Sequence, residues 1–191
     1  MVLIASAKYL PIEFQVEIGS MPPSFLPIGN KRLYEYQRAL FENIQEKIFL
    51  SLPQSFNIDK MDQDKLKILG IEVLFVPDNL SLGESIVYCI NLNLPLDSKE
   101  GIKILFGDTY FDSLEFCQNS LVIHKTPNNY NWQYLDETLQ LLSDIEDKRN
   151  FVISGYFEIT DAYFLIQSIV KCQYNFNNGI KLYTTKSVYY T

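Results

Sequence analysis

A chain of 191 residues, 47% of them apolar and only 8 Gly and 8 Pro, has the material for one domain with a sizeable core. It excludes a disordered tail, a collagenous rod and a disulfide-stapled miniprotein. With 16 Lys and Arg against 23 Asp and Glu the net charge is −7, the wrong sign for tracking a nucleic-acid backbone. A local basic pocket for a single nucleotide stays open. Cys89, Cys117 and Cys172 stand far apart with no C-x-x-C pair, a poor basis for a disulfide framework or a zinc site. No uncharged apolar run reaches the roughly eighteen residues a membrane span needs, and the N-terminus lacks a signal-peptide pattern. The expectation is a soluble, cytoplasmic protein.

In chain order, residues 2–5 (VLIA) predict a strand buried on both faces. Residues 11–30 hold Gly19, Pro22, Pro23, Pro27 and Gly29, breakers that forbid a continuous helix or central strand. Loops of about twenty residues inside a compact domain are usually functional. Leu33, Tyr36, Leu40, Phe41 and Ile44 make one apolar stripe, predicting a helix over 31–45. A strand over 47–52, a solvent-facing helix over 59–69 stopped by Gly70, and a strand over 71–76 follow. Residues 82–92 predict a helix with Ser81 and Glu84 as a capping box, and 102–106 (IKILF) a buried strand running straight into Gly107 and Asp108.

The last third predicts strands over 121–124, 132–135 and 151–159 and a helix over 161–170, with 181–191 extended; 135–145 suits a helix or a strand equally. Thr160 or Asp161 would cap the helix. Strands alternating with helices imply right-handed crossovers and a three-layer α/β/α, Rossmann-like, mostly parallel sheet. Ligands gather at the carboxyl ends of such strands, where Asp108 stands. On its own, Gly-Asp is also an ordinary turn dipeptide.

Four strings occur in an order that resembles the sugar-1-phosphate nucleotidyltransferases: LPIGNKRLYEYQ (26–37), VPDNLSLGESI (76–86), ILFGDTYFDSL (104–114) and ISGYFEI (153–159). They look like that family's "GNKPLIEY", "LGTA", "GD" and "TGLYxF" segments, and their collinearity covers nearly the whole chain. Residues 13–35 resemble more closely a subgroup from bacterial capsule gene clusters, whose members continue into further domains. The resemblance implies the nucleotide-diphospho-sugar transferase fold over 1–191, with an additional C-terminal domain or a homo-oligomer as possible company. It also implies nucleoside triphosphate and sugar phosphate as substrates, with neither nucleic acid nor a membrane span involved.

By the same resemblance, Asp108 is the catalytic, magnesium-binding aspartate, a hard ligand suited to a cation that also grips the triphosphate. Ala5, Ser6, Ala7 and Lys8 approach the nucleotide, Gly83 lets backbone reach it where a Cβ would collide, and Gly155 does the same at the sugar. The second metal carboxylate is expected beyond residue 191.

Two departures are plain. The family's G-x-G-T-R cradle is replaced by Ala5-Ser6-Ala7-Lys8-Tyr9-Leu10, and Pro23 stands at its "P-K" lysine. Lys8, Lys31 and Arg32 are candidates to supply the missing positive charge, with Lys31 and Arg32 as phosphate ligands; paired cations at a helix start otherwise read as a solvated end, slightly unfavourable to the dipole. His124, the one histidine, reads as a surface or core residue, since no motif places a nucleophile beside it. Two hypotheses follow: a nucleotidyltransferase using Mg²⁺, or a catalytically degenerate nucleotide- or sugar-binding or regulatory module of the same fold.

Overall fold

The computed structural model describes residues 1–94, 100–125, 134–135 and 151–187. The chain runs through β1 (Val2–Ala5), α1 (Ile12–Ile18), a 3-10 turn (Pro23–Phe25), a small hairpin of β2 (Pro27–Ile28) and β3 (Lys31–Arg32), and α2 (Leu33–Ala39). It continues through β4 (Ile48–Pro53), α3 (Lys60–Ile68), β5 (Ile71–Val76), α4 (Leu82–Asn93) and β6 (Ile102–Phe106). The last elements are β7 (Ser120–Lys125), β8 (Tyr134–Leu135), β9 (Phe151–Ile159), α5 (Ala162–Lys171) and α6 (Phe176–Ser187).

The apolar run at β1 becomes the centre of the sheet because both its faces can be covered. Leu3 enters one core cluster, Val2 and Ile4 the other, and all three are wholly buried. This is the strand's period-two pleat read out as packing. Around it the order is β5-β4-β1-β6-β9-β7, with β8 paired to β9. The first four strands are mutually parallel, β9 runs antiparallel to β6, and β7 antiparallel to β9. Residues of α2 and α3 (Tyr34, Leu66) pack on the Val2/Ile4 face, and those of α4, α5 and α6 (Ile86, Leu165, Ile180) on the Leu3 face. The result is a three-layer α/β/α, mostly parallel sheet. The chain leaves β1 toward β4 on one side, and β6 lies on the other, so the switch point where ligands collect falls between the ends of β1 and β6.

Three expectations are corrected. The 11–30 stretch is not wholly irregular: α1 fits between Pro11 and Gly19, with no buried residue. The helix expected over 31–45 begins after β3 and ends at Ala39; beyond it the amides of Phe41, Glu42 and Ile44 each bond three residues back, tightening the chain into turns. The C-terminal stretch is helical through Ser187 rather than extended. Phe176, Ile180 and Tyr183 form a buried stripe, and the Asn175 side chain accepts from the Asn178 amide to cap it. Tertiary burial of Tyr183 overrides the strand preference of the Tyr and Thr residues within it. The ambiguous 135–145 segment, apart from Leu135 in β8, and residues 188–191 lie outside the described residues.

Candidate active site

Strand β6 delivers the chain to Gly107 and Asp108 at the switch point, and neighbouring elements converge on that turn. From β1, the Ala5 carbonyl accepts from the Gly107 amide at 2.8 Å, and a Cβ on Gly107 would stand 2.5 Å from that of Ser6. From the 3-10 turn, the buried Ser24 hydroxyl donates to the Gly107 carbonyl at 3.2 Å, while the Ser24 amide donates to Ser6 Oγ at 3.0 Å. From α2, Gln37 Nε2 reaches the carbonyls of Phe106, Gly107 and Thr109 at 3.2, 3.1 and 2.9 Å. From β9, Gly155 sits with φ +84°, and a Cβ there would meet Thr109 Oγ1 at 2.4 Å. Gly155 marks an irregularity: between the pairs Leu121–Phe157 and Ile123–Ile153 the β9 strand carries two extra residues. Such bulges re-aim a strand beside a site.

Asp108 itself is exposed and borders a cleft of about 840 Å³, closed by the β6 turn, β7 and β9, with Leu82 and Asn177 at its edge. Tyr110, Asp112 and His124 also face it. Tyr110 donates to Asp112 Oδ1 at 2.8 Å, and that bond and the carboxylate's charge raise the phenol above its ordinary pKa. The ring of Tyr110 meets Tyr36 edge-on at 5.7 Å, and Lys31 Nζ lies 5.5 Å over the Tyr36 ring, a cation–π contact at the rim. Among the described lining residues there are two carboxylates, one histidine and no Lys or Arg.

The structure brings together only part of the expected set. Asp108 and Gly155 border one cleft. Gly155 does not offer bare backbone, because Thr109 fills the space above it. Ala5 is half-buried, Ser6 and Ala7 are buried at the end of β1, and Ser6 is bonded to Ser51 and Ser24. Of that loop only Lys8 is exposed. Gly83 is also not at the cleft: a Cβ on it would lie 2.1 Å from the Tyr174 carbonyl, so its lack of a side chain lets the turn between α5 and α6 pack on α4. Arg32 is already engaged, bonded to the Phe25 carbonyl and paired with the buried Asp62 at 3.2 Å. Lys31 stays exposed.

The capping assignments hold: Ser81 and Glu84 form their reciprocal box, and the Asp161 side chain accepts from the Phe164 amide. The Ser81 amide bond lowers the Glu84 carboxyl below its usual range. Sequence reasoning missed Ser24, Gln37, Tyr110 and Asp112, and placed His124 away from any site. For Gln37 a signal existed: it lies four residues after Leu33 and four before Phe41, a polar residue in a buried stripe.

Magnesium, which the family resemblance implies, fits the donor chemistry here. The Asp108 carboxylate lies in the cleft beside the Thr109 hydroxyl, 3.5 Å away. Among the described residues no cluster of three or more His, Cys, Asp and Glu forms a closed cage. Mg²⁺ is usually held by one or two carboxylates together with a substrate's phosphates.

No family model and no curated protein matches the chain. Solved structures do. A nucleoside-diphosphate-sugar pyrophosphorylase from Vibrio cholerae RC9 superposes with a TM-score of 0.75 at 12% identity over 100% of this chain and 91% of that one. A CTP:phosphocholine cytidylyltransferase from Streptococcus pneumoniae gives 0.67 at 14% over 100% and 87%, and a UTP-bound UGPase from Acinetobacter baumannii 0.63 at 10% over 100% and 85%. The likeness establishes the fold: the mostly parallel sheet with flanking helices is shared with these structures. No helix among the described residues is long and apolar enough to cross a membrane.

Proposed function

We propose that this chain is a nucleotidyltransferase domain that transfers a nucleotidyl group from a nucleoside triphosphate to a sugar-1-phosphate or similar phosphate with release of pyrophosphate, as in the synthesis of capsule or other surface polysaccharide. The observation that carries the reading is the placement of Asp108: an exposed carboxylate at the end of a central parallel strand, at the switch point, beside a cleft of about 840 Å³. The neighbours in fold support it, since those quoted are named for nucleotidyl transfer or for a nucleotide-sugar pyrophosphorylase.

An oxygen of the acceptor phosphate attacks the α-phosphorus of the triphosphate. A new P–O bond forms, the bond to the bridging α–β oxygen breaks, and pyrophosphate departs with that electron pair. Catalysis of such a step is largely positioning and charge neutralisation. Asp108 would hold a Mg²⁺ that, when bound, would screen the triphosphate charge; Lys31 at the rim and Lys8 after β1 are the cations of the expected set that stay exposed. The turn under Asp108 fixes the carboxylate, and the β7–β9 side of the cleft receives the acceptor.

The test is pyrophosphate release from a panel of nucleoside triphosphates with sugar and choline phosphates, for the wild type and Asp108→Ala. Turnover lost in the variant supports the reading; no turnover, with no effect of the variant on magnesium–nucleotide binding, defeats it. A binding or regulatory module of the same fold is the second reading. It is favoured by the lack of Lys and Arg among the described cleft residues and by the engagement of Arg32 with Asp62. Calorimetric binding of an intact nucleotide sugar, without turnover at any protein concentration, selects it.

A further inference from the structure

We propose that Gln37 is the positioning residue of this site, its buried carboxamide setting the direction in which the β6 turn presents Asp108 to a metal-bound triphosphate. The inference rests on the nucleotidyl-transfer reading and adds a residue to it.

Gln37 is wholly buried on α2, yet its amide nitrogen reaches three carbonyls roughly seventy residues away, those of Phe106, Gly107 and Thr109. An amide has two hydrogens, so three acceptors within 3.2 Å share them. These carbonyls bracket Asp108: two precede it and one follows. A turn whose flanking carbonyls are drawn toward one buried point cannot rotate its intervening residue without breaking a bond at either end.

The neighbouring positions on the same stripe, Leu33 and Phe41, are apolar and buried; an aliphatic residue at 37 would fill the space but leave the carbonyls of the turn without this donor. Gln37 instead leaves its own Oε1 buried with no partner among the described residues. An unpaired acceptor is unfavourable in a core, and such local violations concentrate at functional sites. The chemistry also selects the amide over its isostere: a carboxylate at this position would set negative charge against three carbonyl oxygens.

α2 is in turn fixed to α3. Tyr34 donates to the buried Asp62 at 2.6 Å, Arg32 pairs with the same carboxylate, and Glu35 bonds Lys65 at 3.1 Å. The route therefore runs from α3 through α2 and Gln37 to the turn carrying Asp108. Outer-shell partners of this kind are the ones whose loss weakens metal binding without removing a ligand.

The experiment measures Mn²⁺ affinity by the EPR signal of the free ion, in the presence of whichever of ATP, CTP, GTP and UTP binds the wild-type chain most tightly. Gln37→Met keeps the volume and removes the donors. Its Mn²⁺–nucleotide affinity is expected to fall by about tenfold or more, with the thermal midpoint recorded alongside. The deciding comparison is the same substitution on an Asp108→Asn background, where no further loss is expected because the two residues act as a unit. Unchanged affinity, or an equal loss on both backgrounds, overturns the proposal. A wild-type chain that binds no Mn²⁺–nucleotide overturns the parent reading instead, and the two failures look different. Should Gln37→Met not fold, Gln37→Asn, an amide one methylene short, gives the same comparison.

Discussion

Two loops leave adjacent strands at the same edge of the sheet, and they are built on opposite principles. The turn after β6 is held by Ala5, Ser24, Gln37 and Gly155, each from a different element. The longer segment after β1 carries α1, which buries nothing: Ile12, Phe14 and Val16 are 66%, 56% and 82% exposed. Rigid placement is what a carboxylate needs if it is to meet a cation at fixed geometry. A segment with few buried contacts has low local stability, the kind from which moving loops are drawn. The turn that carries the carboxylate is therefore preorganised in the free chain, whereas α1, farther along the segment after β1, is held by no buried side chain.

The largest expected effect breaks the comparison at its functional end. Asp108→Asn should lower the rate of pyrophosphate release by about 10²–10³-fold, yet leave the unfolding free energy within about 0.5 kcal/mol because the side chain is exposed. A loss of stability would mean that the carboxylate serves the fold.

Two glycines with nearly the same φ sharpen it. Gly155 and Gly19 have φ of +84° and +82°, but a Cβ meets Thr109 at 2.4 Å in one case and nothing within 4 Å in the other. Gly19→Ala should cost only the backbone part, about 1–3 kcal/mol, and Gly155→Ala should cost more than that by the overpacking, a further ~1–3 kcal/mol. Chemical denaturation of both variants separates surroundings from conformation.

The anchoring of α2 has a pH signature. Burial raises the Glu35 carboxyl, but the Arg32 amide and Lys65 outweigh that and hold it below its ordinary 4.5. A depressed carboxyl contributes stability that is present above the unfolded value and lost as pH falls through the folded one. Stability measured by denaturant titration should therefore fall as pH drops below 4.5. Glu35→Gln should flatten that decline by about 0.5 kcal/mol or less, because solvent screens the pair. The smallest effect is expected in α1, where Phe14→Ser with Val16→Ser should change unfolding free energy by less than about 0.5 kcal/mol. A larger loss would show that α1 is packed after all and remove the contrast.

Much of the sheet was legible because its signals are local. Residues 71–76, 102–106 and 151–159 are continuous apolar or alternating runs bounded by breakers, and β5, β6 and β9 have those limits. The antiparallel entry of β9 was not legible, since pairing direction is set by how the chain returns through more distant segments. α6 was misread because its strand-favouring residues are overruled by contacts with α5 and Asn119, the latter through the Tyr183 hydroxyl at 2.8 Å. Asp108 stood out because a strand end at a parallel sheet's edge is a position as well as a residue. The roles of Gln37, Ser24 and Thr109 depend on which carbonyls come within reach after folding. Gly83 shows the converse: its string looked like a nucleotide contact, and the close approach it permits is to the chain's own Tyr174.

The most direct test is a crystal structure of the chain grown with Mn²⁺ and a non-hydrolysable analogue of its preferred nucleoside triphosphate, with data collected at the manganese absorption edge. An anomalous peak in coordination distance of the Asp108 carboxylate, with the triphosphate bound to the same ion, is the expected result. A metal-bound nucleotide seated elsewhere, or Asp108 facing solvent with no ion while nucleotide is present, would contradict the account.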